Sequence, residues 1–348
     1  GICRRKRGCN GGMRIEIFEP DLSNRHEITH AISVQFSIKY NDIGKFTIVL
    51  PMDAYNISIA KNDAIVYLVE RKLAFEVAEV QFDDENNQIT LNGYTLNNRL
   101  NRRVAATAYK VTNIEKDVYA AVKANLRGLP ILTAAEKGLT ETTSATAIYG
   151  EELLAAVQKI LSDADLGQRA VFDYKAKTIT WEIYKGVDRT SGLKAVSFVA
   201  ERGTAAQLVI DQDVSSYKNV CYCTAQYADG SKCIATAGQE TGENRRELWA
   251  EFSGDPQGKT ETNDAFARRV QTYAALQLGS HRNRQSFNLS ADASELGVAY
   301  DIGDLVWCVS QRHNVKFKAR ITGMTYAQDQ RSTSIGLTIG DPILTVMG

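Results

Sequence analysis

Alternation of apolar and polar residues dominates the first hundred positions of this chain. Period-two or wholly apolar runs fall near 13–18, 30–38, 45–50, 64–70, 73–82 and 88–94, separated by Asn, Asp and Gly. That pattern predicts strands joined by turns. Residues 96–112 form a connector with no clear period. Helical spacing then takes over. Asn113 suits the N-cap of a helix running to about Leu126, with Ile114, Val118, Ala121 and Val122 on one face. The stretch GEELLAAVQKILSDA at 150–164 is the clearest helix, with its acids in the first turn, where the helix dipole favours negative charge. VFDYKAKTITWEIY reads as a hairpin. From Ala205 the strands return, broken by a helix at about 261–278, and they resume from Arg284 to Leu344.

These elements predict a mainly β protein with an α+β middle. We divide it into a first small β-barrel over 13–104, an α+β domain over 105–204, and a second, similar β-barrel over 205–348 with a helical insertion around 255–282. A faint internal repeat supports the two barrels. In KNDAIVYLVERKLAFEVAEVQFDDENNQITLNGY and in IGDLVWCVSQRHNVKFKARITGMTYAQDQRSTSIGLTIGD, an Asp (Asp63, Asp304) opens an apolar strand. An Arg follows eight residues later (Arg71, Arg312), then an aromatic (Phe75, Phe317), a long strand, and a closing strand (Ile89-Thr90-Leu91, Ile335-Gly336-Leu337). The expectation is that the two regions superpose with Asp63 on Asp304 and Arg71 on Arg312.

Two motifs look catalytic. His26-Glu27-Ile28-Thr29-His30 spells the zinc-peptidase signature H-E-x-x-H. On a helix, residues i and i+4 sit about 6 Å apart along the axis and can share one ion. On a strand they lie roughly 13 Å apart, too far for one zinc. The residues after His30 alternate with period two (Ile32, Val34, Phe36, Ile38), and no third ligand follows, so the histidines are expected at the mouth of a strand with no metal. The second motif, Ser253-Gly-Asp-Pro-Gln-Gly-Lys-Thr260, imitates a phosphate-binding loop, but only three residues separate Gly254 from Gly258 and no parallel βαβ unit surrounds it. A turn with Thr260 or Thr262 capping the next helix fits better.

Composition adds exclusions. Hydrophobic residues make up 44% and charged residues 24%, as in an ordinary globular chain. Four of the 41 basic residues (Arg4, Arg5, Lys6, Arg7) sit in the leader GICRRKRGCNGG, leaving 37 against 41 acids, which suggests no nucleic-acid surface. Residues 1–12 look foreign to the sequence that begins MRIEIFEP at Met13, and are expected to be disordered. No run is long and apolar enough to span a membrane, and synthesis in a cytoplasm is expected. The six cysteines form no framework. Cys3 and Cys9 lie in the leader and Cys308 stands alone in an apolar strand. Cys221, Cys223 and Cys233 flank the turn Asp229-Gly230, and a three-residue loop would bring all three to one face, with no fourth ligand evident. Reduced structural cysteines are expected. His281 and His313 lack nearby partners. No nucleophile elbow or Rossmann fingerprint is present, so we expect no enzyme and assign no catalytic, cofactor or metal residue.

Order and spacing carry one further signal. GKFTIVLP at 44–51, ITLNGYTLNNRLNRR at 89–103, the helix-containing middle, and DIGDLVWCV, KARITGMTYAQD and IGLTIGDP within 301–342 resemble the tail-associated baseplate hub (tail-tip) proteins of long-tailed bacteriophages and prophages. The resemblance runs over nearly the whole chain from Met13. It implies a virion structural protein in the tail baseplate, made in a host bacterial cytoplasm. It also implies a homotrimer whose alternating barrels present pseudo-sixfold symmetry to the tail tube. Distal tail or tube protein, tape-measure protein and other baseplate proteins would be its partners, and DNA would transit without specific binding. The alternatives are a tail-tip cell-wall (carbohydrate) hydrolase, or a stand-alone ligand-binding β protein.

Overall fold

A computed structural model describes residues 13–199, 207–213, 215–281, 284–290, 295–312 and 315–340. The leader with Cys3 and Cys9, and His313, lie outside the described residues. The chain divides into two compact units: Gly1–Leu208 with Asn288–Gly348, and Val209–Phe287.

The first unit begins with β1 (Ile15–Phe18), β2 (Arg25–Ile28), β3 (Ser33–Lys39), β4 (Lys45–Pro51), a short helix α1 (Ala54–Ile59), β5 (Ile65–Leu68), β6 (Leu73–Asp83) and β7 (Gln88–Thr95). A 3-10 turn at Leu96–Arg102 leads to β8 (Tyr109–Asn113), α2 (Ile114–Asn125), β9 (Leu132–Thr133), β10 (Thr142–Ile148), α3 (Leu153–Asp163), β11 (Gly167–Asp173), β12 (Thr178–Tyr184) and β13 (Ser197–Val199). After β14 (Gln207–Asp213) come β15 (Val220–Gln226), β16 (Lys232–Ala237), β17 (Glu247–Glu251) and α4 (Asn263–Ser280). The chain ends with β18 (Arg284–Ser290), β19 (Leu305–Ser310), β20 (Val315–Gln328) and β21 (Thr333–Ile339).

One large sheet runs β14-β18-β21-β20-β3-β4-β7-β6-β5-β1-β2, with β19 paired to β20 and β13 to β19. It holds two copies of one topology. The strands β3, β4, β5, β6, β7 lie in the order β3-β4-β7-β6-β5, and β14, β18, β19, β20, β21 in the order β14-β18-β21-β20-β19. Even the irregularities match. The ladder of β6 on β7 slips between Val77 and Glu79, and that of β20 on β21 slips between Ile321 and Gly323.

The bulged residues fix the equivalence. Val77 donates its N–H to Ala64 and accepts from Asp63; Ile321 donates to Asp304 and accepts from Gly303. Asp63 therefore corresponds to Gly303, and Asp304 to Ala64, one residue away from the match that aligning the two aspartates suggests. The shared requirement is backbone, not carboxylate: φ is +64° at Asp63 and +99° at Gly303, the left-handed region. Arg71 and Arg312 do not correspond, because the β5–β6 hairpin closes at Leu68–Leu73 and the β19–β20 hairpin runs on to Ser310–Val315. Phe317 falls opposite Cys308, the place of Leu73 rather than Phe75. The closing strands do match, with Leu91 opposite Val80 and Leu337 opposite Met324.

Among the described residues no sheet closes into a barrel. Closure needs the first strand of each set to pair with its own set's free edge. Here β3 gives that edge to β20, from Lys39–Gly323 to Val34–Gln328, so the two halves share hydrogen bonds. Phe36, Phe46, Ile48, Leu50, Ile89 and Leu91 form the buried face by strict alternation. Phe36 spans the join, stacked on Tyr326 (centroids 4.8 Å apart) and tilted against Phe75 (5.5 Å).

In the middle of this unit α2, α3 and the β11–β12 hairpin share one core with Phe18, Ile65, Tyr67 and Ala74 of the first β half. Asn113 caps α2 as expected, its side chain accepting from Lys116 N–H. Buried Trp181 donates to Gln168 Oε1 (2.8 Å), and Tyr119 Oη accepts from Ile183 N–H (2.9 Å), so the aromatic core is hydrogen-bonded.

The second unit, by itself, is the sheet β16-β15-β17 with α4 packed on it through Phe266, Val270 and Ala274. Thr262 caps α4, accepting from Ala265 N–H (3.3 Å).

Candidate functional site: an open polar face and its joint

The motifs that imitate catalysis come apart in three dimensions. His26 lies in β2, opposite Ile17 of β1, and its ring meets Glu19 at 3.4 Å; His30 follows the strand and is exposed. The structure thus gives His26 a strand of its own. Among the described residues no group of three His, Cys, Asp or Glu could hold a metal. The phosphate-loop mimic is a turn: Ser253 shares a hydrogen bond with Tyr273 (2.9 Å), and Glu261 accepts from Gly258 N–H (3.1 Å). Gln226 pairs with Lys232 and Tyr227 N–H binds Ser231 O, so the loop is three residues long and all three cysteines face α4. Burial pushes the Cys223 thiol up to about 11 and that of Cys308 up to about 12. Neither is a nucleophile at neutral pH.

A different surface stands out. Along β6-β7-β4-β3-β20-β21 every second residue points away from the buried face. These are Glu79 and Gln81, then Thr90, Asn92 and Tyr94, then Lys45 and Thr47. Beyond the join follow Gln35, Ser37 and Lys39, then Gly323 and Thr325, then Gly336 and Thr338. Hydroxyls and amides predominate, and the few charges are of both signs: Glu79, Lys45 and Lys39. They bond laterally: Thr47 Oγ1 donates to Asn92 Oδ1 (2.8 Å), whose Nδ2 donates to Glu79 Oε2 (3.0 Å). Such a face is wetted without being strongly attractive to either sign of charge. Sequence reasoning missed it as a site, although its signal was present in the polar phase of each alternating strand.

Behind the join sits a buried joint. Tyr40 directly follows β3, donates its N–H to Thr322 O (2.8 Å) and accepts from Gln168 N–H (2.8 Å). Its hydroxyl is shared between Asp165 O (3.2 Å) and Tyr184 O (3.3 Å). Arg320 packs its guanidinium 5.1 Å from the Tyr40 ring centroid, binds both Asp165 carboxylate oxygens and donates to Gly303 O. Burial raises the Tyr40 phenol above its ordinary value, so it stays a neutral donor. For Arg320 burial opposes the charge, yet the hydrogen bonds to Asp165 together with the nearby charges of Asp165, Asp304 and Tyr40 outweigh it and raise the group above its ordinary value. A Cβ at Gly303 would lie 2.5 Å from the Tyr40 ring, and one at Gly186 would lie 1.7 Å from Gly303 O, so both positions demand glycine. At the same ladder position in the other half sits Glu76, bound by Arg99 (2.8 Å, Nε) and Arg102 (2.9 Å). Asp63 pairs with Arg102 (2.5 Å), and Asp304 with Arg189 (2.5 Å).

The fold is that of phage and prophage tail proteins. The chain superposes on a tail protein from Neisseria meningitidis MC58 with a TM-score of 0.62 at 12% identity, covering 95% of this chain and 97% of that one. It is similar to the 43 kDa tail protein of prophage MuSo2 from Shewanella oneidensis (TM-score 0.61, 12% identity, 94% and 98% covered). It is also similar to prophage tail protein gp18 from Listeria monocytogenes EGD-e (0.56, 14%, 93% and 94%). The chain belongs to the Siphovirus ReqiPepy6 Gp37-like protein family, which it matches over residues 14–341. No curated protein matches it.

Proposed function

We infer that this chain is a structural baseplate hub protein of the phage tail tip. Three copies form a ring that caps the tail tube and passes tape-measure protein and DNA. The domains at work are the β regions 13–104 and 205–348, flanking the α+β region 105–204. One observation carries the reading: a single chain holds two β halves of identical strand order, fused side by side through β3 and β20. Three such chains in a closed ring offer six quasi-equivalent positions, the symmetry needed to meet a sixfold tube. The open polar face supports the rest. A bore lined mostly by hydroxyls and amides such as Thr47, Asn92, Gln35 and Thr325, with Lys39 and Lys45 as basic residues on that face, lets DNA pass, because phosphate affinity grows with each basic contact and these are few. The role is mechanical rather than catalytic.

Labelling the chain in assembled virions and locating it by electron microscopy tests this. Label at the tail tip, with three copies per particle, is the expected result; label along the tube or on the head would overturn it. Incubation with bacterial cell walls should leave turbidity unchanged, since clearing would point to a hydrolase.

A further inference from the structure

We propose that the uncovered face of the β16-β15-β17 sheet is a carbohydrate-binding surface, where a neutral oligosaccharide lies across Trp249 and Tyr222. The assignment goes beyond the hub role and does not depend on it.

This sheet belongs to a part of the chain that the duplicated β halves do not require. In the strand order β14 and β18 take the places of β3 and β4. Residues 40–44 alone join β3 to β4, whereas β15, β16, β17 and α4 all lie between β14 and β18. The added module therefore occurs once per chain, and its surfaces are free for a task of their own. Alternation gives its sheet two faces. Cys221, Cys223 and Cys233 turn one of them to α4. The other carries Thr236, Tyr222 and Trp249 in one row and Ile234, Thr224 and Glu251 in the next, each row crossing all three strands.

Trp249 sets this face apart. The chain has three tryptophans. Trp181 donates its indole N–H to Gln168 Oε1 (2.8 Å), and Trp307 donates to Thr190 O (2.9 Å). Trp249 meets no acceptor among the described residues and is 61% exposed. Its neighbour across the ladder, Tyr222, is held in place, because Arg245 donates both to its hydroxyl (2.6 Å) and to Glu247 (2.5 Å). Adjacent strands stand about 4.8 Å apart, so the two side chains form one continuous aromatic strip.

The chemistry of the strip selects its ligand. A pyranose ring has a face of C–H bonds and a rim of hydroxyls. The C–H face stacks on the electron-rich face of an aromatic ring, while the hydroxyls exchange hydrogen bonds with Thr236, Thr224, Glu251 and the Trp249 N–H. Arg245 and Lys232 are offset by Glu247 and Glu251, which suits a neutral ligand rather than a polyanion. Size separates a sugar from a protein. Three strands of this length present roughly 240 Å², against about 800 Å² on each side of a stable protein interface.

Isothermal titration calorimetry of the full chain tests this, with chitohexaose, cellohexaose and maltohexaose as first probes and an array of neutral glycans behind them. Saturable binding is expected, with a blue shift of tryptophan emission as Trp249 is covered. Trp249→Ala should weaken it by about tenfold or more, with Trp249→Phe in between. Both variants should melt with the parent, since the side chain is exposed. Binding that survives Trp249→Ala would put the sugar elsewhere and overturn the proposal, as would a chain that binds no glycan on the array. Loss of the Trp249→Ala chain from assembled tails, with no sugar bound by the parent, would make the face a protein contact instead.

Discussion

The two β halves solve one backbone problem with opposite chemistry. At the last paired position before the bulge, β6 buries Glu76 and β20 buries Arg320. Glu76 gathers Arg99 and Arg102 from the 3-10 turn that follows its own half. Arg320 reaches instead to Asp165 in the middle region and to the carbonyl of Gly303. The first half is therefore satisfied locally, and the second is pinned to the rest of its unit. What is shared is geometry: the bulge, the left-handed residue and the order of strands. What differs is where each charge finds its partner. Duplicated backbones diverge most freely where a polar group needs some partner but not a particular one.

This contrast can be broken in order of expected effect. Glu76→Ala leaves Arg99, only 6% exposed, without its carboxylate, and should lower stability by about 3–5 kcal/mol in urea denaturation. Gly303→Ala forces a Cβ onto a left-handed backbone and against Tyr40, at a cost of about 3 kcal/mol. The reciprocal change Asp63→Gly keeps the backbone and should stay within about 1 kcal/mol of the parent. Equal losses at 63 and 303 would refute their different packing. Arg320→Met should cost less than Glu76→Ala, about 1–2 kcal/mol, because the stranded partner Asp165 is 57% exposed and can be hydrated.

The smallest effect concerns acid. Burial works against ionisation of Glu182, but the hydrogen bonds from Lys137 and Arg169 outweigh it and hold its carboxyl below the ordinary 4.5. A depressed carboxyl contributes stability that is complete above the unfolded value and is lost as pH falls through the folded one. Glu182→Gln should therefore lower the melting temperature slightly at pH 7 and flatten its decline below about pH 4.5, where the parent loses the same contribution. An unaltered acid limb would show that this cluster adds nothing.

Much of the secondary structure was legible because alternation is a local property. Strands such as β4 and β7, with Phe46, Ile48 and Leu50 facing Ile89 and Leu91, announce themselves in any window of seven residues. The caps at Asn113 and Thr262 were equally local. Elements too short or too polar for a period escaped notice. Helix α1 spans six residues and depends on Asp53 accepting from Asn56 N–H (2.7 Å), and β2 reads Arg-His-Glu-Ile with one buried position. The candidate face was half legible: its residues were the polar phase of predicted strands, but nothing in sequence said that six strands lay side by side.

The sequence by itself determined that the chain is mainly β, placed the runs around β1 and β3 to β7 and the helices α2, α3 and α4, and showed that the β grammar occurs twice. Each depends on neighbours within a few residues, where backbone sterics and side-chain period act directly. Only the tertiary structure decided that β3 meets β20 instead of closing a barrel, that Asp63 answers to Gly303, and that Glu76 and Arg320 occupy one position with opposite charge. Pairing Val34 with Gln328 joins residues from opposite ends of the chain. Which edge a strand takes is set by the fit of whole faces, and Phe36 stacked between Tyr326 and Phe75 is the fit that β3 found.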